Sequence, residues 1–327
     1  MMSIRRRAAL GLALALSGWR VATAETTAWP AGKPITIVVP FPAGGVTDSL
    51  ARALAERLAV TLKTSVIVDN RPGGMAQIAV SIVKQSVADG RSIFVGDIGA
   101  FALNASLYPK LNYDPLRDLL PLARLARAPT LLVVPASGLY KTVGDLLAAI
   151  KARPEAVSVA SQGNGTIGHI FAEMLQARAQ GKVTHVPYKG SAPALQDLLG
   201  GQVQAMLDPV ASSGPYVTGG RLRALAVSTA ERLPGFAAVP TFDELGFHEL
   251  ALTPWFGAAL KAGTPEDIDR TLQDHVRAAL VSPDMSTRLA DLSLQPAPVT
   301  GAEFAAFIKT ETSTWAKVIR DGGIRLE

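Results

Sequence analysis

The 327-residue sequence contains no cysteine, and only 18% of its residues are charged. Without cysteine the chain can form neither a disulfide framework nor a thiolate metal site. Four histidines stand at 169, 185, 248 and 275, and no two of them have metal-ligand spacing. We also find no dense lysine and arginine stripe with interleaved aromatic residues. We therefore expect no metal, no cofactor and no nucleic-acid partner.

Long apolar runs are missing as well. The apolar stretch at residues 8–17 is about half of the ~20 residues that a spanning helix needs. It follows three arginines at 5–7 and precedes the small residues 22–24, which is typical of an export signal. A short membrane anchor is the alternative. We predict a cleavable signal at residues 1–24 and a periplasmic location, with the Sec and twin-arginine routes both open.

What the sequence does contain is a strand, a glycine turn and a helix at its start. Residues 35–39 are apolar and β-branched, which predicts a buried strand, and Leu50, Leu54 and Leu58 have helical spacing. The loop between them, residues 40–48, ends at a helix N-terminus, where free N–H groups favour an anion. An ordinary turn with a capped helix is the alternative.

The same unit is followed by further alternating strands and helices. This order predicts parallel strands with right-handed crossovers, so the loops at 40–48, 71–76 and 96–100 should share one sheet edge, where ligands bind. Asp97 and Asp208 each end an apolar strand. Each could be a binding carboxylate or the cap of a following turn, and the sequence leaves both open.

A second glycine loop lies at residues 163–168 and matches G-x-G-x-x-G between a strand and a helix. A dinucleotide site would also need an acidic residue after the next strand, but residues 186–189 contain none. The loop fits better as a second anion cradle, in which backbone N–H groups and the hydroxyls of Ser161 and Thr166 donate. For His169 we favour a structural hydrogen bond over ligand contact.

Seven stretches together resemble one family. They are VPFPAGGVTD at 39–48, DNRPG at 69–73, YDPLRD at 113–118, GNGT at 163–166 with His169, HVPYKG at 185–190, GRLRALAV at 220–227 and WFG at 255–257. Their order and spacing are similar to those of the solute-binding proteins of tripartite tricarboxylate transporters, often called Bug proteins. The resemblance covers essentially the whole mature chain.

The resemblance implies an α/β, two-lobed periplasmic-binding-protein type II fold, in which each lobe is a mixed sheet flanked by helices and the ligand cleft lies between the lobes. Lobe 1 would be residues 33–130 plus 254–327, and lobe 2 residues 131–253. The crossing strands would lie near 130–134 and 252–260. The expected function is capture of a small carboxylate for membrane transporter subunits or a sensor, by a monomer that catalyses no reaction.

The resemblance also implies that the loops at 41–48 and 161–169 hold the carboxylate between the lobes. On one side Phe41 walls the pocket and the first loop binds the carboxylate, and on the other side the second loop binds it. The predicted ligand-binding residues are Phe41, Ala43, Gly44, Gly45, Thr47, Asp48, Met75, Asp97, Ser161, Gly163, Asn164, Gly165, Thr166 and Asp208.

Two of these residues depart from the family pattern. Met75 stands where glycines are usual, and Asp97 stands where serine or threonine is more common. A negative charge and a more apolar wall predict a monocarboxylate with an apolar or cationic distal end, rather than a citrate-like tricarboxylate.

Two alternatives belong to other classes of protein. An enzyme that uses the loop at 163–168 for a nucleotide would need the acidic residue that is missing after the next strand. The ligand-sensing domain of a regulator would need a DNA-binding module ahead of residue 33, where the sequence has only the predicted signal.

Overall fold

The computed structural model describes residues 29–30 and 32–324, so the predicted signal at residues 1–24 lies outside the described residues. Within them, no helix combines the length and apolar character needed to cross a membrane. The strands are β1 Ile35–Val39, β2 Val66–Asn70, β3 Ser92–Asp97, β4 Leu119–Arg127, β5 Thr130–Pro135, β6 Ser158–Ser161, β7 Thr184–Pro187, β8 Ala205–Pro209, β9 Leu222–Val227, β10 Trp255–Lys261 and β11 Gln295–Thr300.

The α-helices lie on both sides of these strands. They are α1 Val46–Leu62, α2 Gln77–Gln85, α3 Asn104–Leu107, α4 Val143–Ala152, α5 Ile167–Ala179, α6 Ser191–Leu199, α7 Val210–Thr218, α8 Glu266–Leu280, α9 Pro283–Asp291 and α10 Gly301–Asp321. Short helical turns at Gly74–Ala76 (3₁₀) and Gly99–Leu103 (π) follow β2 and β3.

The strands form two mixed sheets. The first has the order β11-β4-β10-β3-β1-β2, with β2, β1 and β3 parallel and β10 antiparallel to β3 and β4. The second has the order β7-β6-β8-β5-β9, with β7, β6 and β8 parallel and β5 antiparallel to both neighbours. The predicted fold class, two mixed sheets flanked by helices, is confirmed.

Two short segments connect the sheets. The chain leaves β4 and enters β5 through Ala128 and Pro129, and it returns to β10 through residues 252–254. Ala128 N donates to Pro254 O at 2.8 Å, so the two connections are hydrogen-bonded to each other.

The strands expected to cross near 130–134 and 252–260 each stay within one sheet instead, β5 in the second and β10 in the first. The crossings are shorter because Pro129 and Pro254 have no N–H for a sheet ladder. The lobe boundaries at 33–130 with 254–327 and at 131–253 stay a prediction.

Burial follows the side-chain alternation of the strands. Ile35, Ile37 and Val39 point to the face that α1 and α8 cover, and Val38 belongs to the core on the opposite face. The long α10 closes that opposite face with apolar residues such as Phe304 and Ile308 at helical spacing. Both faces of the first sheet are therefore buried, and its strand-end loops are left to form a site.

Candidate functional site

A cavity of about 1170 Å³ lies where strand-end loops of the two sheets face each other. The first sheet contributes Pro40, Phe41, Pro42, Gly73, Gly74, Met75, Ala76, Gln77, Asp97, Ile98, Asn104, Tyr108 and Lys110 to its wall. The second sheet contributes Thr130, Gln162, Gly165, Thr166, Ile167, Leu207 and Pro209, and the return connection contributes Pro254. The wall is thus built from both sheets and from the segment that joins them.

Asp48 anchors the first loop from beneath. Its buried carboxylate accepts hydrogen bonds from Gly44 N at 2.8 Å, Arg52 Nε at 2.9 Å and Asn70 Nδ2 at 3.0 Å. Burial raises the pKa of Asp48, but the hydrogen bonds from Arg52, Gly44 and Asn70 outweigh it, so the net pKa is lowered. The carboxylate therefore stays charged and ties the glycine turn to β2 and α1.

Of the residues predicted in this loop, Phe41 lies in the cavity wall. Ala43, Gly44 and Gly45 are exposed and stand outside the wall, while Thr47 and Asp48 are buried. Gly45 precedes α1 at the N-cap position and has no side chain to cap it, so the first helical N–H groups are left for another partner. Ligand contact by residues 43–48 stays a prediction.

The loop after β2 has an unusual backbone. Four successive residues have positive φ, at 116° for Gly73, 55° for Gly74, 47° for Met75 and 75° for Ala76. Met75 and Ala76 hold a conformation that costs residues with a Cβ about 1–2 kcal/mol each. Asn104 Nδ2 donates to the Met75 carbonyl at 2.7 Å and fixes this strained turn against the next loop.

Asp97 caps the turn that follows its strand, and its role as a ligand-binding carboxylate stays a prediction. It ends β3 and lies in the cavity wall. Its Oδ1 also accepts from Ala100 N at 3.3 Å and so caps the turn that follows. Burial raises the pKa of this carboxyl group, and the backbone N–H groups around it only partly oppose that effect.

The second loop uses its hydroxyl groups internally. Thr166 Oγ1 donates to Gly163 O at 2.7 Å, and Ser161 Oγ lies 2.7 Å from His185 Nε2 and 3.2 Å from Gly163 N, which donates to it. Both hydroxyls were expected to donate to the ligand. In this structure their hydrogens serve the loop, because a tight turn must satisfy its own backbone groups. Thr166 and Gly165 line the cavity, while Ser161 is fully buried.

Two stacked imidazoles support this loop. The rings of His169 and His185 lie 4.1 Å apart and 3° from parallel, and Gly165 N donates to His169 Nδ1 at 3.0 Å. This is the structural hydrogen bond favoured for His169. Burial lowers the pKa of His169, and burial together with the neighbouring His169 lowers the pKa of His185 to about 4. Both rings are therefore neutral near pH 7 and can accept hydrogen bonds.

Asp208 lies behind the cavity wall, fully buried, and its oxygens accept from Ser191 Oγ at 2.5 Å, Gln162 Nε2 at 3.1 Å and Ser212 Oγ. Burial raises its pKa, against the hydrogen bonds of these neutral donors. Through Gln162, which also donates to Leu207 O at 2.9 Å, Asp208 orients a side chain of the cavity wall.

The third glycine of the loop, Gly168, allows α5 to pack closely against β6. A Cβ at Gly168 would lie 2.6 Å from Gln162 Oε1 and 2.9 Å from Ser161 Cβ, so only glycine lets α5 approach β6 this closely. The G-x-G-x-x-G pattern here serves helix packing and the placement of Gln162. Gly163 and Asn164 stand outside the cavity wall, and Asn164 is exposed.

Sequence reasoning missed several residues of the wall. Gln162 lies between Ser161 and Gly163, so its place inside the predicted loop was the available signal. Asn104, Tyr108 and Lys110 follow the strand-end loop at 96–100 and carry no motif of their own.

Two mixed sheets that face each other across a cavity define a two-lobed solute-binding protein. The chain belongs to the tripartite tricarboxylate transporter receptor family, whose model matches residues 50–324. Membership of this family of periplasmic receptors favours the binding protein over the nucleotide-dependent enzyme and the regulator domain.

Relatives match over nearly their full length. The chain is 35% identical to the protein BugT of Bordetella pertussis over 99% of both chains. Among solved structures it is similar to an R. palustris protein solved with adipate, at 35% identity and a TM-score of 0.77 over 91% of this chain and all of that one. It is also similar to the periplasmic binding protein BugD, at 29% identity and a TM-score of 0.73 over 90% and 99% of the two chains. The MatC protein from Rhodopseudomonas palustris, solved with malate, is 32% identical with a TM-score of 0.71 over 88% and 98%.

Proposed function

We propose that this protein captures a small carboxylate in the cavity between its lobes and delivers it to the membrane subunits of a transporter or to a sensor, without catalysing a reaction. One observation carries the proposal: the N-terminus of α5 opens onto a cavity wall built from both sheets, through Gly165, Thr166 and Ile167. Thr166 offers this helix no side-chain cap, so the first N–H groups of α5 are available to an anion.

The related structures solved with adipate and malate support a carboxylate as the ligand. In our proposal one carboxylate accepts from the N–H groups at the start of α5, and the rest of the ligand extends toward the wall of the first sheet. Phe41, Met75 and Ile98 offer that part of the ligand apolar contact. A ligand held this way touches both lobes and stabilises the arrangement in which they are close.

The connections between the sheets suit a hinge. They are two short segments that are hydrogen-bonded to each other, by Ala128 N to Pro254 O at 2.8 Å and by Thr130 Oγ1 to Leu252 O at 3.2 Å. A few residues at the ends of elements can absorb a rotation of one lobe while both sheets stay intact. We propose that closure about these segments is the signal that a membrane partner reads.

The proposal has a direct test at Ile167, the first residue of α5. Proline is tolerated at this position, so Ile167→Pro removes one N–H while it keeps the helix. Losing one hydrogen bond to a charged group costs about 1.5–3 kcal/mol, which is roughly a tenfold to hundredfold loss of affinity. Isothermal titration with mono- and dicarboxylates, and with their methyl esters, measures this loss and shows whether the carboxylate is required.

Two variants control for the change of side chain and of position. Ile167→Val keeps the N–H and should bind nearly as the wild type does. Val46→Pro makes the same change at the first residue of α1, whose N-terminal loop stands outside the cavity wall from residue 43 onward, and should cost less affinity. Equal affinity of Ile167→Pro and Ile167→Val would contradict a carboxylate site at α5.

Export and oligomeric state are part of the same proposal. We propose that residues 1–24 are removed before Glu25, that the mature protein is periplasmic and that it acts as a monomer. The intact mass of protein from the periplasm, measured under native conditions, checks all three points. A cytoplasmic protein that retains Met1 would contradict the export signal.

A further inference from the structure

One corner of the cavity is rich in hydrogen-bond acceptors and poor in donors. Asp97 and Asn104 form it, before and after the helical turn Gly99–Leu103, and both lie in the cavity wall. The corner belongs to the first sheet, whereas the proposed carboxylate site lies at the start of α5 in the second. It therefore faces whatever part of the ligand lies away from that carboxylate.

The orientation of the Asn104 amide is set by its partners. Nδ2 donates to Met75 O at 2.7 Å and to the Tyr113 hydroxyl oxygen at 3.1 Å, so both of its hydrogens are used. The opposite orientation would place Oδ1 against the Met75 carbonyl, acceptor against acceptor, and is excluded. Asn104 Oδ1 is then a buried acceptor without a hydrogen-bond partner among the residues that the structure describes.

The Asp97 carboxylate is a second acceptor with few hydrogen-bond donors. Among residues 29–30 and 32–324 no lysine, arginine or histidine forms an ion pair with it, and the hydrogen bond from Ala100 N is long at 3.3 Å. The Tyr113 hydroxyl, which accepts from Asn104 Nδ2, donates to Ala100 O at 2.8 Å and is therefore not available to Asp97. The carboxylate thus depends on backbone N–H groups alone, which leaves its charge largely uncompensated.

No other side chain of the described wall, including those of Gln77 and Tyr108, donates a hydrogen bond to Asp97 or to Asn104 Oδ1. Lys110 is the other charged residue in the wall, and it is exposed and outside ion-pair distance of Asp97. Met75 and Ile98, which flank the corner, offer apolar side chains only. A buried acceptor without a hydrogen-bond donor raises the free energy of the folded protein, and a ligand that supplies the donor removes this cost.

We propose that the Asp97 and Asn104 corner binds a protonated amine at the end of the ligand opposite the carboxylate, so that the preferred ligand is an ω-amino carboxylate. An ammonium group has three donors and no acceptor, which matches one carboxylate and one amide oxygen. A second carboxylate would meet like charge at Asp97 and a further acceptor at Asn104. The inference rests on the proposed function, since it takes the first carboxylate to lie at α5.

Matched probes of equal chain length test the corner. Isothermal titration compares hexanoate, 6-aminohexanoate, adipate and hexylamine, and the four- and five-carbon sets repeat the comparison. We expect the ω-amino acid to bind about tenfold or more tightly than the plain monocarboxylate in at least one set, and the dicarboxylate to bind most weakly of the acids. Asp97→Asn keeps the shape and the acceptor for Ala100 N, and it should abolish the preference for the ω-amino acid over the plain monocarboxylate.

Asp284→Asn is the control, because Asp284 pairs on the surface with Arg57, away from the cavity wall. It should leave the preference unchanged. Equal binding of ω-amino and plain monocarboxylates in every set, or tighter binding of the dicarboxylate, would overturn the inference while the carboxylate site stands. Binding of hexylamine as tight as that of 6-aminohexanoate would instead contradict the carboxylate site and leave the amine corner supported.

Discussion

The loops after β1 and after β6 each run from a buried strand through glycines into a helix that has no side-chain cap. They differ in the groups that stabilise them, which are charged in the first loop and neutral in the second. In the first loop a charged carboxylate, Asp48, receives Arg52, Asn70 and a backbone N–H. In the second loop Gly165 N donates to the neutral imidazole of His169, and the Ser161 hydroxyl is hydrogen-bonded to the neutral imidazole of His185. The same local motif can therefore depend on a charge in one lobe and on the absence of a charge in the other.

The buried aspartate of the second lobe follows the same division. Asp208 accepts from two serines and a glutamine, all of them neutral donors, and burial raises its pKa. Asp48 has arginine as a partner and a lowered pKa. The two carboxylates look alike in the sequence, and only their partners distinguish an ion pair from a polar anchor.

The largest expected difference between the two lobes is in the free energy of unfolding when each aspartate is replaced by asparagine. Asp48→Asn removes the charge opposite Arg52 and turns an N–H toward other donors, so we expect the free energy of unfolding to fall by about 2–4 kcal/mol. Asp208→Asn should cost about 1 kcal/mol or less, because the Ser212 hydroxyl can accept from the new amide. Urea unfolding of both variants measures the difference.

Asp284→Asn, in an exposed pair with Arg57, is the reference and should change the free energy of unfolding by at most about 1 kcal/mol. If Asp208→Asn were as damaging as Asp48→Asn, the second lobe would also require a charged anchor.

The two loops should also differ in the pH at which they lose stability, and this effect is expected to be the next largest. The folded pKa of His185, about 4, lies below its ordinary value of 6.5, so the unfolded chain binds more protons between these values and stability falls as the pH drops from about 6.5 to 4. The pKa of Asp48 is lowered from 3.8, so the stability that it contributes is lost only below about pH 4. As the pH is lowered, the second loop should therefore lose stability before the first.

For the half-buried imidazole we expect the loss to be on the order of 1–2 kcal/mol after allowance for solvent screening. Thermal unfolding at steps between pH 7 and pH 4 measures it. His185→Gln keeps an acceptor that does not titrate and should flatten the profile, while His275→Gln on α8 should leave it unchanged. A wild-type profile that is flat over this range would refute the neutral-imidazole anchor.

Substitutions that change backbone strain are expected to alter the free energy of unfolding least. The second loop has its positive φ values at glycines, 144° at Gly163 and 72° at Gly165, whereas the first lobe imposes 47° on Met75. Met75→Gly should raise the free energy of unfolding by about 0.5–1 kcal/mol, since relief of strain exceeds the added entropy of the unfolded chain.

Gly163→Ala is the matched change in the other lobe and should lower it by about 1–2 kcal/mol, because the added Cβ would also lie 3.3 Å from Tyr188 O. Calorimetry on both variants tests the pair. A destabilised Met75→Gly protein would mean that the methionine side chain contributes more by packing than its backbone loses by strain.

Several elements that have no clear sequence pattern contain proline. Strand β4 contains Pro121, β11 contains Pro296 and Pro298, and α7 contains Pro215 inside the helix. Proline argues against each element locally, and tertiary partners override that preference. In contrast, uninterrupted apolar periodicity predicts a helix over about 143–152 and a strand over 222–227, and the structure has α4 at Val143–Ala152 and β9 at Leu222–Val227.

The site divides in the same way. That strands lead through glycines into helices whose N-termini favour an anion follows from the residues alone, because spacing and backbone freedom are local properties. The residues that surround those helix N-termini are set by tertiary packing. Asn104 meets Met75 across 29 residues, and Ser161 meets His185 across 24. Contacts over such separations depend on how the sheets and helices pack, and no local pattern encodes which acceptors are left for a ligand.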